Sequence, residues 1–277
     1  MRSETLRLLF AVVVVLLAGC DAATTAAPTS ESNARPEAAE LTVFAAASLT
    51  EAFTELGEQF EAQHPEATVV FNFAGSNQLA AQINQGAPAD VFASANPAQM
   101  QMAIDSGRIV GGARQTFVRN RLVVIYPKDN PAGLTAWQDL AKSGVKVVFA
   151  AKEVPVGQYS LDFLDKAAQD AAYGIAFKAG VLANVVSYEE NVRAVMSKVV
   201  LGEADAGIVY TSDVAGDNAG QVGRIDIPDT LNTIATYPIA ALNDSAHPEL
   251  AQAFVDLILS PQGQAVLESY GFIKAAQ

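Results

Sequence analysis

From residue 41 onward, short apolar runs alternate with stretches of helical periodicity, and this alternation limits the possible folds most. The apolar runs fall at 41–45, 68–73, 91–93, 122–126, 145–150, 206–210 and 238–242. Helical patterns lie between and after them, at about 50–62, 78–85, 97–106, 158–170, 192–201 and 248–269. Strand–helix alternation predicts an α/β fold with mainly parallel sheets. In open sheets of this kind, ligands sit beyond the carboxyl ends of the strands. A site is therefore to be sought in the turns that follow the strands.

Five such turns carry small or hydroxyl-bearing residues. The first is Phe44-Ala45-Ala46-Ala47-Ser48-Leu49-Thr50-Glu51, where an apolar strand passes through alanines into a helix. Ser48 with Glu51 three residues on forms a capping-box pattern. The unpartnered N–H groups and dipole of a helix start suit a small anion. The second turn, Phe73-Ala74-Gly75-Ser76-Asn77-Gln78, repeats the theme, and Gly75 permits close approach of backbone to ligand. The third is Val154-Pro155-Val156-Gly157-Gln158-Tyr159-Ser160. The fourth is Glu190-Asn191-Val192-Arg193, where Asn191 is a good N-cap and Ser187 with Glu190 a competing capping box. The fifth, Gly207-Ile208-Val209-Tyr210-Thr211-Ser212-Asp213, ends a strand on a tyrosine whose hydroxyl can donate a hydrogen bond. Elsewhere, Asp90 reads as a residue satisfying loop amides, and Trp137 as core.

The N-terminus is a targeting segment. Arg2 and Arg7 precede a short apolar stretch, residues 8–17, too short to span a bilayer. It ends Leu17-Ala18-Gly19-Cys20, a box resembling bacterial lipoprotein cleavage sites, with Cys20 as the lipidated first residue of the mature chain; plain export with cleavage nearby is the alternative. Cys20 is the only cysteine, so it forms no internal disulfide. Residues 20–40 are mostly Ala, Thr, Ser, Pro and Glu, and read as a flexible tether. A formal charge of −13 argues against nucleic acid as a partner and against nonspecific attraction to anionic membranes. It leaves a buried site for a small anion open, because bulk charge is screened beyond roughly 10 Å.

Taken together, the runs Leu41-Thr42-Val43-Phe44-Ala45-Ala46-Ala47-Ser48-Leu49-Thr50, Gly86-Ala87-Pro88-Ala89-Asp90-Val91-Phe92, Val154-Pro155-Val156-Gly157, Asn191-Val192-Arg193, Gly207-Ile208-Val209-Tyr210 and Tyr270-Gly271-Phe272 resemble the periplasmic molybdate-binding proteins of molybdate ABC transporters. The resemblance implies a two-lobed type II solute-binding fold in which the chain crosses twice between lobes. The lobes would be 41–121 plus 238–277, and 122–237. It also implies capture of molybdate or tungstate and delivery to the membrane permease of an ABC importer. The protein would act as a monomer without a cofactor, anchored to the membrane through lipid on Cys20, on the extracytoplasmic face. Carried over by position, the ligand groups are the hydroxyls of Ser48, Ser76 and Tyr210 and the amides of Val156 and Val192; these same residues would count as the metal site if the oxyanion is counted as metal. Two positions depart from the family pattern. Members often have Ala where this chain has Val156, and a serine run where it has Gly75-Ser76-Asn77.

The residue chemistry agrees with that reading. Molybdate is a dianion with acceptor oxygens and no proton, so it needs only donors. A protonated phosphate would also want an acceptor, for which Asp90 and Asp213 are the nearby carboxylate candidates. Sulfate, phosphate, iron or an organic anion are the alternative cargoes. An iron site would want clustered tyrosines, histidines or carboxylates, and no two of the seven tyrosines are adjacent. For an exported enzyme, the two histidines, His64 and His247, each precede a proline at an element boundary, and no Gly-x-Ser-x-Gly, His-Glu-x-x-His or phosphate-loop motif occurs.

Overall fold

The computed structural model describes residues 39–275; the expected signal segment, the expected lipidation at Cys20 and the expected tether up to residue 38 lie outside the described residues. The chain forms two lobes, each built on one sheet. It enters the first lobe through β1 (Ala39–Ala46), α1 (Thr50–Gln63), β2 (Ala67–Ala74), α2 (Ser76–Asn84), β3 (Val91–Ala93), α3 (Pro97–Asp105) and β4 (Gln115–Asn120). It then builds the second lobe from β5 (Leu122–Pro127), β6 (Val147–Ala150), α4 (Pro155–Gln169), α5 (Gly174–Ala183), β7 (Val185–Glu189), α6 (Val192–Val200), β8 (Ala206–Tyr210) and β9 (Val222–Asp226). It returns as β10 (Ala235–Ala241), α7 (Pro248–Leu259), α8 (Pro261–Ser269) and β11 (Ile273–Lys274). Ala39 and Glu40, read from sequence as tether, already pair with Ala67 and Thr68 in β2.

Strand order is β11-β4-β10-β3-β1-β2 in the first sheet and β7-β6-β8-β5-β9 in the second. Both sheets are mixed, which corrects the expectation of mainly parallel pairing. β1 runs parallel to β2 and β3, and β6 parallel to β7 and β8, while β4, β5 and β10 pair antiparallel with their neighbours. Apart from the short terminal β11, the strands with only antiparallel partners are those that lead into and out of the crossings between lobes. β1 is apolar throughout its second half because both its faces are covered. Leu41, Val43 and Ala45 belong to the larger core with Phe53, Phe60 and Phe254, whereas Phe44 packs with Leu79, Ile83 and Met100 beneath α2 and α3. In the second lobe Trp137 is buried edge-on against Phe163, Tyr173 and Phe177, a core position as expected.

The long helical pattern at 248–269 is two helices. Pro261 has no N–H to continue α7, and Ser260 turns the chain and caps α8 by accepting from Gly263 N at 3.1 Å.

The two crossings differ. Arg121 alone separates β4 from β5, whereas residues 227–234 join β9 to β10. Asn232 in the longer crossing accepts from Leu122 N at 3.1 Å and donates to Leu122 O at 2.9 Å, which stitches it to the start of β5.

Candidate functional site

The turns singled out by sequence converge on one small, tight cavity between the lobes. The first lobe lines it with Ala46, Ala47, Ser48, Ala74, Gly75, Ser76 and Ala95, and the second with Val154, Pro155, Val156, Asn191, Val192 and Tyr210. All five residues nominated as ligand groups are therefore brought to one wall-to-wall space. Neither Asp90 nor Asp213 lines it, and among the described residues no charged side chain does.

Three helices and one 3-10 turn begin at this cavity. Ser76 opens α2, Val156 lies in the first turn of α4 behind Pro155, and Val192 opens α6. Amides in a first helical turn have no intrahelical acceptor and carry the positive end of the dipole. Gly157 lets α4 start this close to β6, since a Cβ there would stand 2.0 Å from Ala151 O. Asn191 caps α6 by accepting from Ala194 N at 3.0 Å; Ser187 is occupied by the Glu189 carboxylate at 2.7 Å, which decides between the two caps.

The hydroxyls have defined surroundings. Ser76 Oγ accepts from the Ala95 N–H at 3.0 Å, which leaves the Ser76 proton available to the cavity. Tyr210 is 1% exposed, and its hydroxyl lies beside that of Tyr237 without forming a hydrogen bond of good geometry. Burial, then the neighbouring Tyr237, pushes its phenol well above the ordinary value, so it remains protonated and can donate. Ser48 lies 2.9 Å from the Tyr237 hydroxyl.

The expected Ser48–Glu51 capping box does not form. A 3-10 turn over Ala47–Leu49 precedes α1, so the N-cap falls on Leu49 and Ser48 is released from capping. Glu51 instead ion-pairs with Arg193 and accepts from Asn218 Nδ2 at 3.0 Å. This joins α1 of the first lobe to α6 and the loop after β8 in the second. A further contact between lobes lies beside the cavity: a Cβ on Gly75 would come within 2.6 Å of the Glu190 carbonyl oxygen.

Asp90 accepts from Thr42 N, Ser245 Oγ and Ala246 N at 2.7, 2.6 and 3.1 Å, the loop-tying role read from sequence. Asp213 is buried behind Tyr210 and accepts its backbone N–H at 2.8 Å. Burial pushes its carboxyl up to about 6, opposed by that N–H and by the charge of Arg193. His64 stacks on Phe60 and contacts Glu66, and His247 sits at the N-cap position of α7. Among the described residues no cluster of three or more His, Cys, Asp or Glu side chains is placed to hold a metal ion.

Sequence reasoning missed Tyr237, Asn120 and the Glu51–Arg193–Asn218 bridge. Tyr237 immediately precedes the run read as a strand from Pro238, and Asn120 sits in the polar stretch Arg119-Asn120-Arg121 ahead of the apolar run from Leu122. Only tertiary pairing brings either beside the cavity.

The family model described as bacterial extracellular solute-binding protein matches residues 41–273. A molybdate-binding protein ModA of Mycobacterium bovis is 38% identical, over 95% of this chain and 96% of its own length. A molybdate-binding protein ModA of Escherichia coli is 34% identical over 87% and 91%, respectively. Among solved structures, the Azotobacter vinelandii periplasmic molybdate-binding protein superposes with a TM-score of 0.73 at 22% identity, covering 85% of this chain and all of that one, which bears on the fold. By its fold, its family model and these relatives, the chain belongs to the bacterial extracellular solute-binding proteins, in the branch that includes the ModA molybdate-binding proteins.

Proposed function

We propose that this protein captures molybdate or tungstate outside the cytoplasm and delivers it to the permease of an ABC importer. The observation that carries this reading is the composition of the cavity: hydroxyls and helix-start amides, with no charged side chain among its described lining. A fully deprotonated tetrahedral dianion presents only acceptors, and the polar groups set into this largely apolar wall are mostly donors. Ser48, Ser76 and Tyr210 would donate from side chains, and Val156 and Val192 from the backbone. Fixed donors need no reorganisation when the anion arrives. Val156 is buried at 1% exposure, so its greater bulk than Ala is accommodated in the lobe interior.

The test is a calorimetric titration of the chain from about residue 37 against molybdate, tungstate, sulfate and phosphate. Tight binding of the first two with weak binding of the others is expected; preference for phosphate or for sulfate would overturn the reading. Export and lipid attachment at Cys20 belong to the same proposal. The mass of the mature protein from a bacterial membrane fraction should show loss of residues 1–19 and an acylated Cys20. A soluble mature chain with free Cys20 would refute the anchor.

A further inference from the structure

We propose that Tyr237 is a positioning residue for the anion site: it gives its only proton to Ser48, and thereby commits the Ser48 proton to the bound anion. The inference rests on the reading of this cavity as an anion site.

The direction of every proton in this network follows from one group that cannot reverse. The backbone N–H of Arg121 donates to Asn120 Oδ1 at 3.0 Å, and Thr211 Oγ1 donates to the same oxygen at 2.8 Å. The amide of Asn120 is thereby oriented. Its Nδ2, a donor only, points the other way, toward Ser212 Oγ at 2.8 Å and the Tyr237 hydroxyl at 3.4 Å. Tyr237 is fully buried, so no solvent competes for that hydroxyl. With an N–H aimed at its oxygen, its single proton goes to the remaining partner, Ser48 Oγ, at 2.9 Å. A proton travelling the opposite way, from Ser48 to Tyr237, would leave the Tyr237 proton only the neighbouring Tyr210 hydroxyl, which is not in hydrogen-bond geometry with it. Burial raises the Tyr237 phenol, so it stays protonated and the relay keeps its polarity.

Ser48 Oγ, holding an incoming proton from Tyr237, has its own proton left, and Ser48 lines the cavity. Ser76 reaches the same condition by a shorter route, through the Ala95 N–H. The relay also begins where the lobes join. Asn120 ends β4 beside the one-residue crossing, and Thr211 and Ser212 follow β8 of the other lobe. Ser48 is thus aimed by groups from both lobes.

A double-mutant cycle separates positioning from simple packing. Tyr237→Phe removes only the hydroxyl, and its thermal midpoint without ligand should stay near wild type. Molybdate binding by Tyr237→Phe should weaken about 10-fold, the loss of one directed charge-assisted bond. In a Ser48→Ala background the same change should have no further effect. Equal loss in both backgrounds, or no loss in the wild-type background, would overturn the proposal. A second measurement needs neither ligand nor a change at Tyr237. With tyrosine carrying carbon-13 at Cζ, the Tyr237 resonance should shift when Ser48→Ala removes its acceptor, and an unmoved resonance would refute donation. Should wild type bind no molybdate, the functional reading fails while this spectroscopic arm still decides the relay.

Discussion

Replacing Gly75 by Ala asks whether the two lobes must meet as they do here for the ligand to be held. The new methyl would lie 2.6 Å from Glu190 O, against at least 3.4 Å for ordinary contact, an overlap of roughly 0.8 Å. The Glu190 carbonyl is backbone and sits one residue before the Asn191 cap of α6, so it cannot swing aside without disturbing the Val192 amide. Asn77 Oδ1, at 2.7 Å, is also close, but it is the end of a side chain in the same lobe and can rotate. Overpacking of this kind is worth about 1–3 kcal/mol. It falls only on the closed form, because in an opened molecule Glu190 moves away with its lobe. Apparent affinity for molybdate should therefore drop about 5- to 150-fold. Titration calorimetry measures the loss, and thermal unfolding without ligand should place the variant near wild type. Gly112→Ala, with nothing within 4 Å of its Cβ, serves as the control and should bind normally. Binding by Gly75→Ala within twofold of wild type would refute the premise that the ligand is held in this closed arrangement.

Ser48→Ala and Tyr210→Phe should each weaken molybdate binding by about 10- to 150-fold, from loss of a charge-assisted hydrogen bond of roughly 1.5–3 kcal/mol. His64→Ala and His247→Ala, titrated alongside, should match wild type. Glu51→Ala removes the interlobe partner of Arg193, and its ion pair is partly exposed, so a loss of about 1 kcal/mol is expected. That corresponds to about fivefold in calorimetric affinity, and no loss would mean the bridge does not favour closure. Asp213 titrates at about 6 in the fold against 3.8 for an ordinary aspartate, so the fold disfavours its charged form. Its contribution to stability is then full below pH about 4 and declines as pH rises through about 6, by roughly 3 kcal/mol in all. Urea unfolding across that interval should show the decline in wild type and a flatter profile in Asp213→Asn; parallel profiles would exclude Asp213 as its source.

Much of this molecule is readable from its residues because the cavity is made at strand ends. The order of strand, small turn and helix start is local, and local order survives in one dimension. Ser48, Ser76, Val156, Val192 and Tyr210 all belong to such turns. What escaped notice was decided by pairing across distance or by surfaces that are not amphipathic. β7 was missed because Val186 and Tyr188 on this edge strand are exposed, so its apolar residues do not mark a buried face. β4 and β9 are polar enough to pass for loops and become strands through their partners β10 and β5. α5, Gly174–Ala183, carries two glycines and apolar residues on several faces, which blurs its period. The capping role of Ser48 was misassigned because a capping box is a local rule, and a single 3-10 turn was enough to move the helix start past it.

The unequal crossings have a mechanical meaning. A link of one residue, Arg121, has no slack, so it permits turning but little sliding. The longer link could drift on its own, but Asn232 rivets it to the first residue of β5. Two spans fastened side by side form a flexure: compliant about one line, stiff against shear and twist. Opening is thereby reduced to a single angle. A dianion entering the gap has only that angle to bias, and every collision of the lobes presents the same donors in the same register.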